Sequence, residues 1–155
     1  MKKKSVNLVA SLKYLLLCHA FIMSCTNANS SHTVDRIKSI SISTNGGQLG
    51  YYRRLLIMPD TLYFEQGLRV DTSHRKSIKK INTQYQLEEL ISTNQLTGFS
   101  KIISGKSRQP FDGIDTEVVI RTYNTEIKVR NGGSDKLWLN VVSSINKIIE
   151  KEFKE

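Results

Sequence analysis

Cysteine and histidine are both scarce in this chain of 155 residues, and their placement makes them scarcer still. The two cysteines, Cys18 and Cys25, lie near the N-terminus, so residues 26–155 carry no thiol. Disulfides, thiolate metal sites and cysteine nucleophiles are therefore excluded from that part of the chain. Two of the three histidines, His19 and His32, also fall near the N-terminus, and His74 stands apart from them. A multi-histidine metal site or a serine-histidine-aspartate triad would have to rest on His74, whose one nearby carboxylate in sequence is Asp71. Gly46-Gly47-Gln48-Leu49-Gly50 has neither a following Lys-Ser/Thr nor a helix to open. It reads as a loop needing positive φ, not as a phosphate cradle. Long apolar runs are missing too: none approaches the ~20 residues that a membrane-spanning helix needs.

What the N-terminus does contain is Lys2, Lys3, Lys4 and Lys13, then an apolar stretch from Tyr14 to Met23. A basic start followed by about ten apolar residues is the layout of a secretory signal. Ile22-Met23-Ser24-Cys25 resembles the lipobox of bacterial lipoproteins, with an aliphatic residue at −3 and a small one before the cysteine that is acylated. Leu17 is too bulky to precede Cys18 in that role. The resemblance implies a signal peptide over 1–24, lipidation of Cys25 and a lipid-anchored protein of the bacterial cell envelope. Thr26 to Thr33 is small and polar, so residues 25–35 are expected to be a flexible tether. The acidic cluster that accompanies surface export in some lipoproteins is absent after Cys25, which favours a periplasm-facing position at the outer membrane. The net charge of +9 includes the four leader lysines and leaves +5 without them. That is too mild for a nucleic-acid binder.

Residues 36–155 are long enough for one domain with one core. Ser39-Ile40-Ser41-Ile42-Ser43 alternates with period two, the pattern of a strand with one wet face. Tyr51 to Met58 and Leu62 to Glu65 read as further strands about a Pro59-Asp60 turn, and Leu68 and Val70 as a strand extension or a short fourth strand. The run His74 to Lys80 has no strand pattern. Thr83 and Gln86 match a capping box, predicting a helix of about ten residues from Gln84 to near Asn94. Glu117 to Tyr123 and Thr125 to Arg130 form a hairpin about Asn124. Trp138, Val141, Val142, Ile145, Ile148, Ile149 and Phe153 then give the apolar stripe of a long helix capped by Ser134 or Asp135. Together these predict an α+β two-layer sandwich, with a mostly antiparallel sheet (ββ(β)-α-ββ-α) and two helices on one face.

The strand leading into Gly47-x-x-Gly50, the aromatic-basic strand after it, the Pro59-Asp60 turn, Leu96-x-x-Phe99 and the long terminal helix resemble small uncharacterised lipoproteins of Bacteroidota. The layout is also similar to that of a domain of unknown function whose opening motif places cysteines and a proline around those glycines. Those cysteines are absent here, and the likeness, spread over most of residues 36–150, brings no activity with it.

Candidate sites are few. Asp112, Asp115 and Glu117 place three carboxylates in six residues, the oxygen-rich pattern that hard cations favour, but without the further ligands of a calcium loop. Arg69, Arg75, Lys76, Lys79 and Lys80 form a basic run that could face anionic headgroups. Tyr51, Tyr52, Arg53 and Arg54 combine the residue types enriched at binding surfaces, although alternation sends half of them toward the core. With no catalytic constellation and no cofactor motif, the expectation is a non-enzymatic binding module, held to the membrane by its lipid and docking an envelope protein. The alternatives are a metal-dependent envelope enzyme using Asp112, Asp115 and Glu117, and a periplasmic immunity or inhibitor protein.

Overall fold

The computed structural model describes residues 35–154. The expected signal peptide, the lipidation site Cys25 and the tether up to residue 34 lie outside the described residues. Six strands form one sheet: β1 (Ile37–Gly46), β2 (Tyr51–Ile57), β3 (Thr61–Leu68), β4 (Lys76–Ile81), β5 (Ile114–Thr122) and β6 (Glu126–Arg130). Their order is β4-β3-β2-β1-β5-β6, and every neighbouring pair is antiparallel. Three helices, α1 (Leu87–Leu90), α2 (Thr93–Ser100) and α3 (Lys136–Phe153), complete the α+β sandwich.

The core follows from alternation. Ile40 and Ile42 of the central strand lie beside Ile57 and Leu55 on one side and Ile120 and Val118 on the other, and all six are buried. Ile37 joins them although it is three residues from Ile40, because a bulge between Ile37 and Ser39 resets the alternation. Against this face α3 packs Trp138, Val141, Ile145, Ile148, Ile149 and Phe153, as its spacing predicts. Asp135 caps the helix by accepting from the Trp138 N–H at 3.0 Å. Phe153 stacks on Phe64 with ring centroids 4.7 Å apart, tying the helix C-terminus to β3.

Four local expectations are corrected. The basic run is not patternless: Lys76 to Ile81 is the edge strand β4, with Ile78 opposite Phe64 and the Lys80 ammonium over the Phe153 ring at 5.1 Å. Lysines suit an edge because they keep its free backbone groups from pairing with another chain. Correspondingly, Leu68 ends β3 and Val70 lies exposed in the connection. No helix starts at Gln84, since buried Asn82 takes the Gln84 and Tyr85 amides on its Oδ1 at 3.3 and 2.9 Å and so makes a turn there. The helical stretch is instead broken into α1 and α2, and the capping pair is Ser92 with Gln95, whose Oε1 accepts from the Ser92 N–H at 3.0 Å. Leu96 and Phe99, which show no clean period in sequence, are the buried residues of α2. At the N-terminal boundary, Asp35 belongs to the domain and not to the tether. Its carboxylate accepts from Thr122 Oγ1 at 2.7 Å and Asn124 Nδ2 at 3.0 Å at the β5-β6 turn.

The glycine-rich loop between β1 and β2 does carry positive φ, at Gly46, Gly47 and Gly50. Gly46 is the constrained one. A Cβ there would sit 2.1 Å from the Gly113 carbonyl oxygen, so the loop before β5 closes directly on this backbone.

Candidate functional site

Because the helical core covers one face of the sheet, the opposite face carries the remaining alternate residues of each strand. On β1 these are Ser39, Ser41, Ser43 and Asn45, all short. Their neighbours across the pairing are long: Arg54 and Glu117 beside Ser43, Tyr52 beside Asn45, Leu56 and Val119 beside Ser41. A row of small side chains between taller ones makes a trough of about 490 Å³ along the central strand. Its floor is Ser41, Ser43 and Asn45. Tyr52, Arg54, Glu65 and Arg69 form one wall, and Glu117, Val119, Arg121, Glu126 and Lys128 the other.

The charges on these walls are unevenly matched. Glu117 pairs with Lys128 at 3.0 Å and Glu126 with Arg121 at 2.7 Å. Glu65 stands directly across from Arg54, but its Oε1 pairs with the Arg75 guanidinium at 2.8 Å and accepts from the Tyr52 hydroxyl at 3.5 Å. The negative charge of Glu65 in turn raises the Arg75 pKa. Tyr52 reaches Glu65 because Gly67, opposite it on β3, has no side chain, and a Cβ there would meet the Tyr52 hydroxyl at 2.9 Å. Each carboxylate of the trough is thus already partnered. Among the described residues, Arg54 and Arg69 have no ion partner within 4.0 Å.

Of the four interaction candidates, Tyr52 and Arg54 line this trough. By alternation Tyr51 and Arg53 take the helix side, where Arg53 Nη2 donates to Asn146 Oδ1 of α3 at 3.2 Å. The pattern Tyr-Tyr-Arg-Arg could not say which pair faces outward. The signal that could have done so was the serine alternation of β1, which marks the uncovered face through the pairing register. Arg69, which the sequence places in the basic run that could face headgroups, lines this trough as well, whereas Arg121 gives no signal because it is one charged residue in an ordinary strand pattern.

The three carboxylates between 112 and 117 do not converge. Asp112 ends a short 3-10 turn with φ 55° and accepts from Gln48 Nε2 at 3.5 Å, while Glu117 faces the trough. Asp115 is only 4% exposed and is saturated with donors: Ser107 Oγ at 2.5 Å, the Arg108 N–H at 2.8 Å and Asn131 Nδ2 at 2.7 Å. Burial pushes its pKa up, but those bonds and the nearby Arg130 charge outweigh burial and hold it below the ordinary value. Its role is to pin the loop 105–113 to the ends of β5 and β6. Among the described residues, no three His, Cys, Asp or Glu side chains gather in a way that could hold a metal ion.

His74 does find Asp71, with Nδ1 2.8 Å from Oδ2, and Ser73 Oγ lies 3.2 Å from that same nitrogen. A triad needs the acid and the nucleophile on opposite ring nitrogens, so this exposed cluster is a turn held together by Asp71 and has no proton relay. The Asp71 pKa is lowered chiefly by the hydrogen bonds from Ser73. No helix among the described residues is long and apolar enough to cross a membrane. No protein-family model matches the chain, and no curated protein matches its sequence.

Proposed function

We propose that this chain is a lipid-anchored, periplasm-facing protein of the bacterial cell envelope, acting as a binding module whose uncovered sheet face docks another envelope protein. The observation that carries this reading is the trough. Among the described residues the helical packing is on one face, while the other presents a tyrosine and two arginines without ion partners around a floor of small polar residues. Tyr and Arg are the side chains that most often dominate binding surfaces. The lipobox-like Ile22-Met23-Ser24-Cys25 supports the anchoring.

Two measurements test the two halves. Cys25→Ala is expected to leave an unprocessed precursor or a soluble product on membrane fractionation, and Cys18→Ala to change nothing; equal membrane retention of Cys25→Ala would sink the anchor. A photo-crosslinking residue at Ser43, in the trough, is expected to give a discrete adduct with another protein in intact cells. The same residue at Lys147, exposed on α3, is expected to give none. Adducts of equal yield from both positions would remove the assignment of the sheet face as the docking surface.

A further inference from the structure

Resting on the docking reading above, we infer the chemistry of the partner: the trough takes an extended acidic peptide segment, with carboxylates four residues apart. Arg54 lies opposite Glu65, and Arg69, four residues beyond Glu65, follows directly on the end of β3 and is joined to the β2 side by its N–H bond to the Gly50 carbonyl at 3.0 Å. Four residues of strand span about 13 Å at ~3.3 Å each. That backbone spacing matches two carboxylates at i and i+4 of an extended chain, where even spacing keeps both on the same side.

The surroundings fit the same ligand. Tyr52 lies between the two arginine rows and is turned over Gly67 by its bond to Glu65, which keeps its ring off the trough floor. Ser41, Ser43 and Asn45 offer hydroxyl and amide groups to a polar chain passing over them. Glu65, Glu117 and Glu126 each have a cation of their own, so they add little repulsion, and the net attraction of the site comes from Arg54 and Arg69. Guanidinium groups bind carboxylates by two parallel hydrogen bonds, which gives spacing a role as well as charge.

The experiment uses the full chain in detergent and a fluorescent extended peptide carrying Glu at i and i+4, read by anisotropy. Binding is expected, weakening as salt rises. Arg54→Gln and Arg69→Gln should each lower affinity about tenfold, roughly the worth of one hydrogen-bonded charge pair. Lys101→Gln, on the helical side, should bind as the parent does, and an unshifted Trp138 emission shows that each variant is folded. A peptide with its two Glu residues adjacent should bind more weakly than the spaced one. The inference is overturned if both arginine variants keep full affinity, if inorganic phosphate displaces the peptide at equal concentration, or if only vesicles containing phosphatidylglycerol are bound. Should the Ser43 crosslink form in cells while the acidic peptide fails here, the docking reading stands and the acidic partner falls; loss of both removes both.

Discussion

Replacing Trp138 by alanine should lower the unfolding free energy by about 3–5 kcal/mol, a large share of a domain's total of ~5–15. Trp138 is 5% exposed and stacks on Phe99 of α2 with ring centroids 6.2 Å apart. It also lies against Gly132, where a Cβ would approach the indole to 2.6 Å. One ring thus joins α3, α2 and the turn after β6. Its removal loses the transfer energy of the indole and leaves a cavity whose walls belong to three separate elements, so collapse cannot easily fill it. Lys147→Ala, on the exposed side of the same helix, should change stability by less than about 0.5 kcal/mol. Chemical denaturation followed by circular dichroism checks both. A near-neutral Trp138→Ala, with red-shifted and iodide-quenchable emission in the parent, would refute the core assignment and move the docking surface onto α3.

The second large effect is at Asp115. Asp115→Ala should cost on the order of 3 kcal/mol, the upper range for a hydrogen bond to a charged group, because three donors lose one carboxylate at once. Those donors are Ser107 Oγ, the Arg108 N–H and Asn131 Nδ2, so the variant should loosen the 105–113 loop before the sheet melts. Hydrogen exchange should show faster exchange at the Arg108 and Gly113 amides than at those of β1. The pH dependence has a definite sign. Folding lowers the Asp115 pKa, so the unfolded chain binds more protons in that range. The stabilisation from Asp115 is therefore whole above about pH 4, near the unfolded value, and is lost as pH falls through the lower folded value. The stability gap between the parent and Asp115→Ala should be flat from about pH 5 to 8 and should narrow below about pH 4. A gap that widened on acidification would mean that the carboxylate is held protonated, against the hydrogen-bond geometry.

Asp115 is also a lesson in reading carboxylates. Three of them in six residues resemble ligands in sequence, yet only the fold shows that Asp115 turns inward to Ser107 and Asn131, that Glu117 turns outward to Lys128, and that Asp112 ends a turn. Alternation along β5 puts 115 and 117 on the same face, but pairing at the strand end gives one a cage of donors and the other a lysine.

The antiparallel sheet, the β5-β6 hairpin and the α3 stripe were legible in residue order, because period two and period 3.6 record which side of an element leaves water. The β4 strand was not, since an edge strand needs little apolar alternation once its neighbour supplies the pairing. Nor was the Asn82 turn, in which an Nδ2 bond to the Met58 carbonyl, 24 residues earlier, holds the side chain that takes the Gln84 and Tyr85 amides from a helix that local pattern favours. The same division runs through the candidate site. That β1 carries serines on one side and isoleucines on the other is written in five consecutive residues. That those serines become the floor of a trough, and that Arg54 and Arg69 stand on its wall with no ion partner among the described residues, depended on the register of β3 against β2 and on Arg75 reaching Glu65 from the next strand connection. Local sequence reports the solvent preference of a side chain, whereas ion pairing depends on which strands lie side by side, and that is set by the packing of the whole sheet.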